Sequence, residues 1–124
     1  MLKVKALLFD VFGTVVDWRT GIAREVESIA KKNHISIDPL DFADAWRAEY
    51  QPAMEEIRKG RRSFTILDIL HMENLKKIAP KFNLHNLSDD DFEFLVTAWH
   101  RLPGWPDSSD GLSLLKKQYI LATQ

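Results

Sequence analysis

Hydrophobic positions along the chain follow two different periods. Residues 4 to 9, Val-Lys-Ala-Leu-Leu-Phe, are a mostly apolar run of strand length, closed by Asp10 and then by a Gly13-Thr14 turn signal. A run that is apolar on both faces predicts a strand buried inside a parallel sheet. From Thr20 to about Lys32 the period becomes helical, with Ile22, Val26, Ile29 and Ala30 on one face and charges on the other. Asp38 supplies an N-cap and Pro39 a first helical residue, opening a second helix whose stripe is Phe42, Trp46, Tyr50 and Met54. Pro52 should kink that helix about midway, and Gly60-Arg61-Arg62 ends it.

A third helix is expected from near Ser63 to Ile78, with Ile66, Leu67, Leu70 and Leu75 inward and Pro80 as its stop. The fourth starts at Ser88, where Ser-Asp-Asp-Asp approximates a capping box, and buries Phe92, Leu95 and Trp99. Leu-Pro-Gly-Trp-Pro-Asp at 102 to 107 then breaks periodicity and reads as a domain crossing. A short helix from about Ser109 to Lys117 leads to Tyr119-Ile-Leu-Ala-Thr, a second strand candidate. The chain thus divides into a first core segment (1–18), a helical block (19–101), and a linker, helix and second core strand (102–124). Two parallel strands can belong to an α/β sheet but cannot complete one, because a parallel sheet needs several strands covered on both faces. The core is therefore expected to be truncated after Gln124.

Composition narrows the function classes. The 124 residues are 45% hydrophobic and 28% charged, with 17 Lys+Arg against 18 Asp+Glu for a net charge of −1. That balance gives no basic field for a nucleic-acid backbone, and no nucleic-acid partner is expected. With no cysteine, thiol nucleophiles, thiolate zinc sites and disulfides are all excluded. The apolar run at the N-terminus is too short for a membrane span and lacks a secretory cleavage site, so a cytoplasmic protein without a membrane partner is expected. His34, His71, His85 and His100 are scattered without metal-ligand spacing. The basic cluster Arg58-Lys59 with Arg61-Arg62 suits a helix C-terminus better than an anion site. Asp17, Trp18, Trp99 and Trp105 read as packing residues at the boundary between the helical block and the core.

Asp10 carries the chemistry. Ligands of α/β sheets sit beyond the carboxyl ends of the strands, where Asp10 falls. A carboxylate there, partly desolvated and close to the N–H groups of a tight turn, can serve as a well-aimed nucleophile. Gly13 gives the turn its freedom, and the Thr14 hydroxyl can orient the carboxylate or its substrate. Position alone leaves open that Asp10 only caps the turn.

Phe-Asp-Val-Phe-Gly-Thr-Val-Val-Asp-Trp at residues 9 to 18 resembles the first motif of the haloacid dehalogenase superfamily. The resemblance implies that Asp10 is a covalent nucleophile. It also implies a fold, an α/β, incomplete Rossmann-like parallel core with an inserted all-helical cap domain. Trp46-Arg47, and His100-Arg101-Leu102 running into Trp105-Pro106-Asp107, resemble the type II 2-haloacid dehalogenase branch. Phosphatases of the superfamily carry a second aspartate two positions after the nucleophile, because an alkoxide leaving group needs a general acid. Here that position is Phe12, which cannot donate a proton, whereas a halide leaves unprotonated. Phe12 can also be read as a core aromatic tucked under the cap. By the same logic no cofactor is expected for dehalogenation, and Mg2+ is expected if the enzyme is phosphatase-like. The resemblance places Arg47 at the substrate arginine of the cap, where a guanidinium would hold a carboxylate or sit by the halide; a surface arginine is the alternative.

The implied reaction is displacement of halide from a 2-haloalkanoate by Asp10, followed by hydrolysis of the aspartyl ester to a 2-hydroxy acid. In the family a serine or threonine ends the second core strand, for which Thr123 is a stand-in, and a later lysine and acidic or amide-bearing loop complete the site; these two are absent from the 124 residues, which are therefore expected to be inactive alone. The segment Ala48-Glu49-Tyr50-Gln51-Pro52-Ala53 departs from the aromatic-rich lining of the branch. Two alternatives stay open: another hydrolase or phosphatase of the superfamily, and a truncated, non-catalytic member acting as a binding or structural module. The exposed second strand would favour association, a homodimer included.

Overall fold

The computed structural model describes residues 3–124, which form two compact units: the segment up to Trp18 together with Leu102–Gln124, and Arg19–Arg101. The first unit is built on strands β1 (Ala6–Phe9) and β2 (Ile120–Thr123) with helix α6 (Ser108–Leu115). The strands pair in parallel, Ala6 opposite Ile120 and Phe9 opposite Thr123. Two further backbone bonds extend the ladder at its ends, Ile120 N–H to Lys5 O and Gln124 N–H to Phe9 O, both 2.9 Å. The expectation of a strand buried on both faces is corrected. Leu7 and Phe9 are half-buried, whereas Leu8 is 67% exposed and Ile120 69%. Successive side chains point to opposite faces, and a two-stranded sheet with α6 beside Phe9 and Leu121 leaves the other face bare.

The second unit is all helical: α1 (Trp18–Lys32, entering from the first unit), α2 (Pro39–Ala48), α3 (Tyr50–Arg58), α4 (Leu67–Ile78) and α5 (Asp89–Thr97), with 3-10 turns at Ala79–Phe82 and Ala98–His100. Its core is formed by the stripes those helices share together with Leu84 of the loop that follows Ala79–Phe82, with Ile22, Val26, Phe42, Trp46, Leu70, Leu75, Leu84 and Leu95 sealed from solvent.

 Asp38 caps α2 as expected, its carboxylate accepting from the N–H groups of Leu40 and Asp41, both at 3.0 Å. Ser88 caps α5 through a bond from the Asp91 N–H at 3.1 Å.

Two expectations are adjusted. The kinked second helix is two helices that break at Glu49, because Pro52 has no N–H for the Ala48 carbonyl four residues back and its ring clashes there. Pro52 then sits in the first turn of α3, where no donor is needed. The third helix starts at Leu67 rather than near Ser63. Ile66 stands before it with extended backbone and is 54% exposed, so it lies off the buried stripe. Residues 102–107 are tied to the loop after β1 by backbone bonds. Asp17 N–H donates to Pro103 O at 2.8 Å, Trp105 N–H to Val15 O at 3.1 Å, and Val16 bridges Gly104.

Candidate active site

β1 delivers Asp10 to the carboxyl end of the two-stranded sheet, the edge at which α/β sheets bind ligands. The chain then closes on the Val11 carbonyl, which accepts from the N–H groups of Thr14 (3.2 Å), Val15 (2.9 Å) and Val16 (3.2 Å), while Gly13 N–H donates to Val16 O at 3.0 Å. This turn requires φ +90° at Gly13, a left-handed conformation that a Cβ disfavours, and a side chain there would meet the Trp18 indole at 3.5 Å. The turn folds Thr14 back toward the strand end, and its hydroxyl donates to Asp10 Oδ2 at 2.8 Å.

Asp10 and Thr14 are therefore brought together, but not in the surroundings expected. Asp10 is exposed rather than partly desolvated. The N–H groups of residues 14 to 16 are taken by the Val11 carbonyl, so the bond that orients the carboxylate comes from the Thr14 side chain. Phe12 is half-buried and bridges Val16 through its backbone; its ring brings neither a proton nor an oxygen ligand. Thr123, paired with Phe9, is exposed at the same end of the sheet. A cavity of about 310 Å³ lined by Phe9, Val11, Val15, Leu112 and Leu121 lies under the turn.

Sequence reasoning missed two residues that fasten this loop. Trp105 Nε1 donates to Gly13 O at 3.1 Å, and Ser108 Oγ donates to Val15 O at 2.6 Å. Both loop carbonyls are thereby anchored by the segment that opens α6. The available signal was a tryptophan within a proline-rich break, a donor-bearing ring where a solvated linker would carry small polar residues.

Arg47 belongs to the helical unit, in the last turn of α2, with Cζ 4.3 Å from the Tyr50 ring centroid. His71, on α4, is 2% exposed, and burial pushes its imidazole down to about 4. Asp68 works against that shift, and Arg47 and His100 reinforce it. Trp99 packs against Trp46, and Trp105 bonds Gly13, so each tryptophan finds a partner within its own unit. The basic cluster is neutralised locally, with Arg58 and Lys59 on Glu55, Arg61 on Glu56 and Arg62 on Glu73. Among the described residues, no group of three His, Asp or Glu is gathered to hold a metal ion, and no helix is long and apolar enough to cross a membrane.

Comparison with solved structures supplies the context for this geometry. The defluorinating L-2-haloacid dehalogenase Rha0230 matches with a TM-score of 0.92 and 47% identity over 96% of this chain. The chain resembles L-2-haloacid dehalogenases. The L-2-haloacid dehalogenase PA0810 matches at a TM-score of 0.87 and 36% identity over 98% of the chain. The L-2-haloacid dehalogenase from Xanthobacter autotrophicus, at 20% identity over 98% of the chain and a TM-score of 0.77, shares the fold. The chain spans about half the length of these proteins: 49%, 51% and 46% of each. No protein-family model and no curated protein matches it. The fold is thus haloacid dehalogenase-like, a parallel strand pair with a helical insertion.

Proposed function

We propose that this chain carries the nucleophile and the cap of a haloacid dehalogenase-type hydrolase that acts on 2-haloalkanoates. The observation that carries the reading is the Thr14 hydroxyl on Asp10 Oδ2 at the carboxyl end of β1, in a chain 47% identical to an L-2-haloacid dehalogenase over 96% of its length. With Oδ2 held by that bond, Oδ1 attacks C2 of the substrate. The new O–C2 bond forms as the carbon–halogen bond breaks, and halide leaves with the electron pair. Water then cleaves the aspartyl ester, returning the carboxylate and releasing a 2-hydroxy acid and a proton.

Phe12 supports halide over alkoxide as leaving group, because a halide needs no proton and an alkoxide does. No resident cofactor is needed for displacement at saturated carbon, whose rate depends on alignment and exclusion of water. Arg47 would receive the substrate carboxylate through the planar fork of its guanidinium.

Halide release from 2-chloropropionate, compared between the full-length protein and its Asp10→Asn variant, tests the proposal. Release that depends on Asp10 supports it. Release that is unchanged in the variant removes Asp10 from its role, and magnesium-dependent phosphate release from simple esters would favour the phosphatase alternative.

A further inference from the structure

The helical unit contains a continuous stack of side chains that reaches Arg47. Its order begins with the helix break. Because Pro52 stops α2 and restarts the chain as α3, Tyr50 becomes the first residue of α3, and its ring lies 4.3 Å from Arg47 Cζ. Tyr50 in turn stacks on His71, with centroids 6.3 Å apart and planes at 25°. His71 stacks on Trp99 at 4.6 Å and 6°, and Trp46 closes the edge of both rings at 6.1 and 5.4 Å.

His71 is the unusual member. It is 2% exposed, and its Nε2 has no hydrogen-bond partner among the described residues. A residue that only filled space would be apolar, since an unsatisfied buried nitrogen is destabilising. The groups that face the imidazole are Arg47 on α2, Asp68 on its own helix and His100 beyond α5. Burial keeps the ring uncharged at neutral pH, so it can stack between Tyr50 and Trp99 without placing a second cation beside Arg47.

We infer that Tyr50 and His71 are positioning residues, and that the stack from Trp99 through His71 and Tyr50 fixes the direction of the Arg47 guanidinium for a carboxylate ligand. A guanidinium held against an aromatic face has its plane fixed, and a planar bidentate anion is recognised through that plane. The inference rests on the reading of Arg47 as the carboxylate receptor, and it gives Tyr50, in the segment that departs from the family's aromatic lining, a task of its own.

The test is NMR of the full chain with labelled arginine, using acetate as the anion probe. Arg47 side-chain protons in the wild type should show ring-current shifts. Tyr50→Phe and His71→Phe, which keep the stack, should retain both the shifts and the acetate affinity. Tyr50→Leu and His71→Ala should lose the shifts and bind acetate about threefold more weakly, the scale of one cation–π contact. If the Arg47 shifts survive in a folded His71→Ala, the inference is overturned. Should that variant fail to fold, half-buried Tyr50 carries the test, and unchanged shifts in Tyr50→Leu overturn the inference equally. Shifts that follow this pattern with no acetate binding in any variant support the stack and overturn instead the role of Arg47 as carboxylate receptor.

Discussion

At the scale of single residues, the site depends on a short local loop rather than on burial. Asp10 is exposed, so its direction comes from the Thr14 hydroxyl, which reaches it because Gly13 adopts φ +90°. Thr14→Ser keeps that hydroxyl and should leave the rate of halide displacement within about twofold, whereas Thr14→Val should slow it roughly tenfold, the value of one hydrogen bond to a charged group. Single-turnover halide release by the two variants checks this. The Asp10-Phe12-Gly13-Thr14 grouping was legible in the sequence because a strand, a carboxylate and a glycine turn are all local signals. The anchors Trp105 and Ser108 were not, because their partners are the carbonyls of Gly13 and Val15, 92 and 93 positions away. Nothing in the local pattern around residues 102–108 encodes that pairing.

Among the elements, the caps determine where helices begin, and one buried carboxylate ties two of them together. Asp91, in the first turn of α5, accepts from Lys32 Nζ at 2.7 Å and from Asn33 Nδ2 at 3.1 Å, joining α5 to the end of α1. These bonds hold its carboxyl below the usual range, the Lys32 contact first. Asp91→Ala should destabilise the protein by about 2 kcal/mol, less than a fully buried pair because the Lys32 amine remains in water; urea denaturation measures it. The caps at Asp38 and Ser88 could be read directly from the sequence, since each acts within three residues of itself. The break at Glu49 was only half legible. Pro52 announces a disturbance, but a proline acts on the carbonyl four residues earlier, which moves the boundary away from the residue that causes it. Ile66 misled for a related reason, because periodicity continues into a segment whose backbone is already extended.

For the molecule as a whole, the two units respond to different variables. The helical unit has the sealed core and buries His71, whose folded-state value of about 4 lies below the ordinary 6.5. Between those two values the unfolded chain takes up a proton that the folded chain does not. Stability should therefore be fully present above pH 6.5 and fall as the pH drops toward 4, by up to roughly 3 kcal/mol from this group. Denaturation midpoints across that window should shift accordingly, and His71→Phe should flatten the dependence. The unit built on the strands carries Asp10, at the end of a sheet whose other face is exposed at Leu8 and Ile120. Its fold class followed from the two strand patterns, while the exposure of that sheet did not, because an apolar run alone does not say which layers cover it. The central claim is that Asp10 bonds covalently to carbon. Intact and peptide mass spectrometry after incubation with 2-chloropropionate tests it most directly. The account predicts a 1-carboxyethyl ester on the peptide that contains Asp10, absent in Asp10→Asn. Labelling at another residue, or a modified Asp10→Asn chain, would contradict it.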